Sequence, residues 1–103
     1  MRRKIVVIAA LSAAVAGCGS KDTKSASSGK DVFASAGCAN CHTLKAAGAR
    51  GRVGPDLDQL KPPAAIVERQ VTNGGAGMPA FKGTLSPAQI KAVADYVAAN
   101  AGN

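Results

Sequence analysis

The sequence predicts one small all-α domain, with three to four helices closed around a bound group. Three observations predict it. Apolar residues recur at helical spacing in three segments, and no stretch alternates with a period of two. The chain has 103 residues, room for one domain and no more. Its aromatics are Phe33, Phe81 and Tyr96, with no Trp, so the core is thin. A chain this small needs a staple: disulfides, a metal or a cofactor.

Residues 1–17 read as a signal peptide. Met1-Arg2-Arg3-Lys4 is its charged start, and Ile5 to Gly17 is an apolar run of 13 residues. That length suits export and falls short of the roughly 20 residues of a membrane-spanning helix. The run ends in Val15-Ala16-Gly17-Cys18, which resembles the bacterial lipobox. The resemblance implies cleavage before Cys18 and a diacylglycerol on its thiol, an anchor that two acyl chains make stable. The alternative is plain secretion with a spare thiol at Cys18.

Residues 18–28 are then an anchored tether. Gly19 to Gly29 (GSKDTKSASSG) lacks apolar periodicity and is rich in Ser, Gly and Lys. A flexible run of 11 residues spans roughly 17–20 Å, enough to hold a domain beside a membrane while letting it turn. Residues 29–103 form the folded domain.

The net charge of +7 owes three of its units to Arg2, Arg3 and Lys4. Without the leader it is +4, ten basic against six acidic residues. A mild positive charge favours acidic partners or anionic lipid. No basic stripe is interleaved with aromatics, so nucleic acid is excluded as a partner.

A first short helix is predicted from about Lys30 to Ala36, with Val32, Phe33 and Ala36 inward. It leads into Cys38-Ala39-Asn40-Cys41-His42, which admits four readings. A thioredoxin-like pair needs a βαβ scaffold, and nothing here alternates with period two. A zinc site needs four ligands, and the domain offers two Cys and one His. A disulfide across two intervening residues closes a tiny loop and stabilises little. The fourth reading is CxxCH, the c-type haem attachment signal. Cys38 and Cys41 then become thioethers, and the adjacent His42 is the proximal iron ligand. This reading accounts for both remaining cysteines and the only histidine.

Lys45 to Arg52 (KAAGARGR) is Gly-rich and predicts a loop without strands. Its Lys45, Arg50 and Arg52 either rim a docking face or are solvated surface charge. A middle helix begins near Pro62-Pro63, carries Ile66, Val67, Gln70 and Val71 on one side, and stops at Asn73-Gly74.

Met78 follows in a loop containing Gly74, Gly75, Gly77 and Pro79, which forbid a helix. A methionine placed there suits a close approach, and a thioether donating to haem iron is such a reason. Simple packing is the alternative. A His42/Met78 pair would fill both axial positions and predicts electron transfer over ligand chemistry. An enzyme or gas sensor with a labile Met78 would need distal groups, and no His or Arg is near Met78 in the sequence. The last helix opens on Ser86-Pro87-Ala88-Gln89, a capping box with Pro at the first position. Ile90, Val93, Ala94 and Val97 form its apolar stripe, and it ends before Gly102.

Taken together, CANCH, the preceding Gly29-Lys30-Asp31-Val32-Phe33, Gly54-Pro55-Asp56-Leu57 and Gly77-Met78-Pro79-Ala80-Phe81 resemble the class I c-type cytochromes, in their short bacterial monohaem form. The resemblance covers about Gly29 to Asn100 and implies one covalently bound haem c and no enzymatic role. It implies that the Pro55 carbonyl accepts the His42 N–H, and that the first and last helices cross with Phe33 against Tyr96. It also implies redox partners, a quinol-oxidising complex upstream and a terminal oxidase or reaction centre downstream, served by a monomer outside the cytoplasmic membrane. Met78 lies only 36 positions after His42, as in the compact forms, which predicts an exposed haem edge.

Overall fold

The computed structural model describes residues 28–103. The leader 1–17, Cys18 and all of the tether but Ser28 lie outside the described residues. Among those described, no helix is long and apolar enough to cross a membrane.

The first helix, α1, spans Gly29–Ser35. Ser28 caps it by accepting from the Asp31 backbone N–H at 3.1 Å, and its Val32 and Phe33 are buried. Gly37, at φ 81°, turns the chain into a 3-10 turn at Cys38–Asn40. Strand β1 (Thr43–Leu44), a second 3-10 turn (Lys45–Ala47) and strand β2 (Ala49–Arg50) follow. β1 and β2 pair antiparallel, Thr43 with Arg50 and Leu44 with Ala49. The segment expected to be plain loop is therefore a minimal hairpin, too short for a two-residue period to register in the sequence. It buries Leu44 and Ala49 in the core.

Helix α2 is one turn, Leu57–Leu60, nucleated by Asp56, whose side chain accepts from the N–H groups of Asp58 and Gln59. Helix α3 spans Ala64–Asn73 after the extended Pro63, and Gly74 ends it at φ 66°. Helix α4 spans Pro87–Asn100. Its capping box is complete: Gln89 N–H donates to Ser86 Oγ at 3.1 Å, and Ser86 N–H to Gln89 Oε1 at 2.9 Å. The stripe read from the sequence, Ile90, Val93, Ala94 and Val97, is the buried face of α4. Each buried Val or Ile contributes about 1.5–3 kcal/mol.

α4 is the spine on which α1 and α3 pack. Helix α1 crosses it at Gly29, where a Cβ would overlap the Ala92 carbonyl and the Tyr96 Cβ. The absence of a side chain lets the two backbones approach. Phe33 and Tyr96 meet beside that crossing, ring centroids 6.0 Å apart and planes inclined by 59°. This tilted geometry is favourable for aromatic pairs.

The core holds no buried polar or charged residue among those described. Three large apolar residues are instead exposed: Val53 at 85%, Leu60 at 57% and Ile66 at 43%.

Candidate functional site

Those three exposed residues share one location. Val53, Leu60 and Ile66 all line a cavity of about 560 Å³ that is walled on the core side by Phe33, Leu57, Val67, Val71, Val93 and Val97. The volume falls within the range of small-molecule and cofactor sites. Ile66 was expected on the packed face of its helix; it lies on that face but looks onto the cavity. Helical periodicity marks an apolar surround without saying whether protein or a cofactor fills it.

Cys38, Cys41, His42, Pro55 and Met78 all line this cavity. The motif residues reach it through the first 3-10 turn, where the N–H groups of Cys41 and His42 both donate to the Cys38 carbonyl, at 3.2 and 3.0 Å. Burial pushes the Cys38 thiol above its ordinary value. Among the described residues, no group of three or more His, Cys, Asp or Glu side chains could hold a metal ion by itself.

Residues 51–55 pass over the motif and fix the histidine. Gly51 N–H donates to the His42 carbonyl at 3.0 Å, and Gly54 N–H to the Cys41 carbonyl at 2.6 Å. The Thr43 hydroxyl donates to the Gly51 carbonyl at 2.8 Å. His42 Nδ1 lies 2.8 Å from the Pro55 carbonyl oxygen. A carbonyl can only accept, so the ring proton sits on Nδ1 and the lone pair on Nε2. The ring also rests against Gly54, where a Cβ would come within 2.6 Å of His42 Cε1. Sequence reasoning missed this role of Gly54, as it missed Val53 and Leu60. Apolar residues outside any periodic face were the available signal.

Met78 enters from the opposite end of α3. Gly75 and Met78 form an isolated antiparallel bridge, with N–H···O distances of 2.9 and 3.0 Å. The residues between them, Ala76 and Gly77, both have positive φ, 52° and 91°. That is the pattern of a type I′ hairpin turn. The chain then returns along α3 through Phe81 N–H to the Val71 carbonyl at 2.8 Å. Lys45, Arg50 and Arg52 are exposed and do not line the cavity, although Val53, the neighbour of Arg52, does.

These residues fit a haem. The cavity is apolar, carries two thiols for covalent attachment, and presents nitrogen and sulfur donors. Without a planar apolar occupant, Val53, Leu60 and Ile66 would stand against water.

Comparison with known proteins agrees. Residues 24–97 match the protein family described as "Cytochrome C oxidase, cbb3-type, subunit III". The chain is 42% identical over 89 residues to cytochrome c6 of Picosynechococcus sp., covering 76% of this chain and 75% of the relative. It is 41% identical over 81 residues to cytochrome c6 of Anabaena variabilis, covering 67% and 84%. The crystal structure of the c-type cytochrome SorU from Sinorhizobium meliloti superposes with a TM-score of 0.69 at 47% identity, covering 73% of this chain and 88% of that one. The chain therefore belongs to the class I cytochrome c family: a small monohaem electron carrier, not an enzyme, with one covalently bound haem c and redox proteins as its partners.

Proposed function

We propose that the chain is an exported, lipid-anchored carrier in which Cys38 and Cys41 attach the haem and His42 and Met78 ligate its iron. One observation carries the reading: the single histidine, both motif cysteines and Met78 line the same apolar cavity. The haem supplies a one-electron ferric/ferrous couple. The Pro55 carbonyl holds His42 in the tautomer that leaves Nε2 to donate, and raises the basicity of the ring. The Met78 thioether is a softer donor that favours the ferrous state and raises the potential. His42 and Met78 would hold the iron between them and would leave it no position for a substrate. Val53, Leu60 and Ile66, exposed at the cavity, would border the bound haem on the side a partner can approach.

Residues 1–17 are removed on export, Cys18 carries the lipid, residues 18–28 are the tether, and residues 29–103 are the haem domain. The partners are a quinol-oxidising complex upstream and a terminal oxidase or reaction centre downstream. Lys45, Arg50 and Arg52 steer acidic faces of those partners, so association slows as salt rises.

Spectroelectrochemical titration tests the redox role. A reversible one-electron curve with no uptake of carbon monoxide by the reduced protein is expected. A high-spin protein that binds carbon monoxide readily would contradict the ligand assignment. Membrane fractionation of the wild type and Cys18→Ala tests the anchor: the variant moves to the soluble fraction, and equal distribution would overturn it.

A further inference from the structure

Asp58 is the second residue of α2, yet the helix has no need of it as a cap. Asp56 fills that place, its Oδ1 accepting from the backbone N–H groups of Asp58 at 2.9 Å and Gln59 at 3.3 Å. The Asp58 carboxylate instead serves two N–H groups brought from distant parts of the chain. Oδ2 accepts from Lys45 N–H at 2.8 Å, and Oδ1 from Gly102 N–H at 2.8 Å. Lys45 opens the 3-10 turn just beyond His42-Thr43-Leu44, and Gly102 follows the C-terminal cap of α4. Each oxygen holds a different segment, and both bonds have the short, charge-assisted geometry.

The Lys45 bond is the last of an ordered series. Residues 41–45 and 54–58 lie side by side: Gly54 N–H donates to the Cys41 carbonyl, His42 Nδ1–H to the Pro55 carbonyl, and Thr43 bridges Asp56. Asp58 closes the series at Lys45 and ties its end to the C-terminal turn of α4.

We propose that Asp58 is a positioning residue for the haem-side histidine: by gripping Lys45 and Gly102 it keeps residues 54–58 in register with 41–45, and so keeps the Pro55 carbonyl on His42 Nδ1. The proposal rests on the reading of His42 as an axial ligand. Its consequence is electronic as well as structural. A carbonyl held on Nδ1 makes the ring a stronger donor and favours ferric iron, so loosening it moves the potential upward.

The test is Asp58→Asn in the holoprotein, read by NMR exchange of the His42 ring N–H in the reduced state and by the midpoint potential. The amide oxygen of Asn can accept one of the two N–H groups, while its NH2 faces the other. Ring N–H exchange should quicken by roughly tenfold or more, with the potential shifted upward. Ile90→Val, on the buried face of α4 and away from the cavity, serves as the control for lost stability and should move neither. Wild-type exchange and potential in Asp58→Asn would overturn the proposal, even if the variant melts earlier.

Truncation after Ala101 removes one donor and leaves residues 41–58 intact, which keeps the idea testable if Asp58→Asn yields no holoprotein. The same shifts in smaller measure are expected, and wild-type values in the truncated protein would overturn the role of Gly102 as an anchor. Failure of the underlying reading looks different: the His42 ring signals of the wild type would lack the large haem-induced shifts of an axial ligand. The exchange comparison would then still decide whether Asp58 holds Pro55 on His42.

Discussion

The segment that carries His42 and the loop that carries Met78 face the same cavity, but they are held in different ways. His42 sits in a cross-bonded belt: its own carbonyl, the Cys41 carbonyl, its ring N–H and the Thr43 hydroxyl are all engaged by residues 51–55. Met78 hangs from a two-residue turn whose bridge to Gly75 is its own local closure. The belt joins residues 8 to 13 positions apart through several bonds, more than the turn engages. The turn is closed by its own two bonds, and Met78 beside it packs against the core from one side. In the proposed carrier, the His42 side is held by many bonds and Met78 by few.

Several changes would break or sharpen this contrast. The largest effect is expected from His42→Ala, which removes the centre of the belt together with a proposed ligand. Little or no protein retaining its colour in acid acetone should be recovered, and a normal yield of low-spin haem protein would show that the belt is dispensable. Next come two glycines, one on each side. Gly54→Ala drives a methyl into the His42 ring and should cost about 1–3 kcal/mol in denaturant unfolding of the holoprotein. Gly77→Ala meets nothing within 4 Å and suffers only from its positive φ, so about 1 kcal/mol is expected. Equal costs, or the reverse order, would contradict the contrast.

A smaller effect is expected on acidification. The backbone N–H groups of Gly102 and Lys45 hold the Asp58 carboxyl below its ordinary value. A carboxyl depressed in the folded state stabilises above its unfolded value, about 3.9, and that contribution is lost as pH falls through the folded value. Unfolding midpoints of the wild type should therefore decline more steeply below about pH 4 than those of Asp58→Asn. Parallel declines would remove Asp58 from the acid response.

How much of this was legible in the sequence follows the same divide between local and distant. α4 was readable in full, because Ser86, Pro87, Gln89 and the stripe from Ile90 to Val97 are all local signals. α3 was readable at both ends from Pro63 and Gly74. The hairpin of Thr43–Leu44 with Ala49–Arg50 was not, since two-residue strands leave no period to detect. The CANCH motif and the Gly-rich setting of Met78 drew attention to residues that line one cavity. The closeness of Gly54 to His42, of Gly29 to α4, and of Asp58 to Lys45 and Gly102 was invisible, because each depends on backbones brought together from elsewhere. Ile66 shows the remaining limit: an inward-facing apolar residue can be awaiting a cofactor rather than a neighbour.

The most direct test of the account is the visible and near-infrared spectrum of the purified protein, oxidised and reduced, beside that of Met78→Ala. The account predicts a sharp reduced α band and a ferric sulfur-to-iron charge-transfer band in the wild type. In the variant it predicts loss of the charge-transfer band with the haem still covalently attached and the His42 side intact. A charge-transfer band that survives in Met78→Ala, or a wild type that is already high-spin, would contradict it.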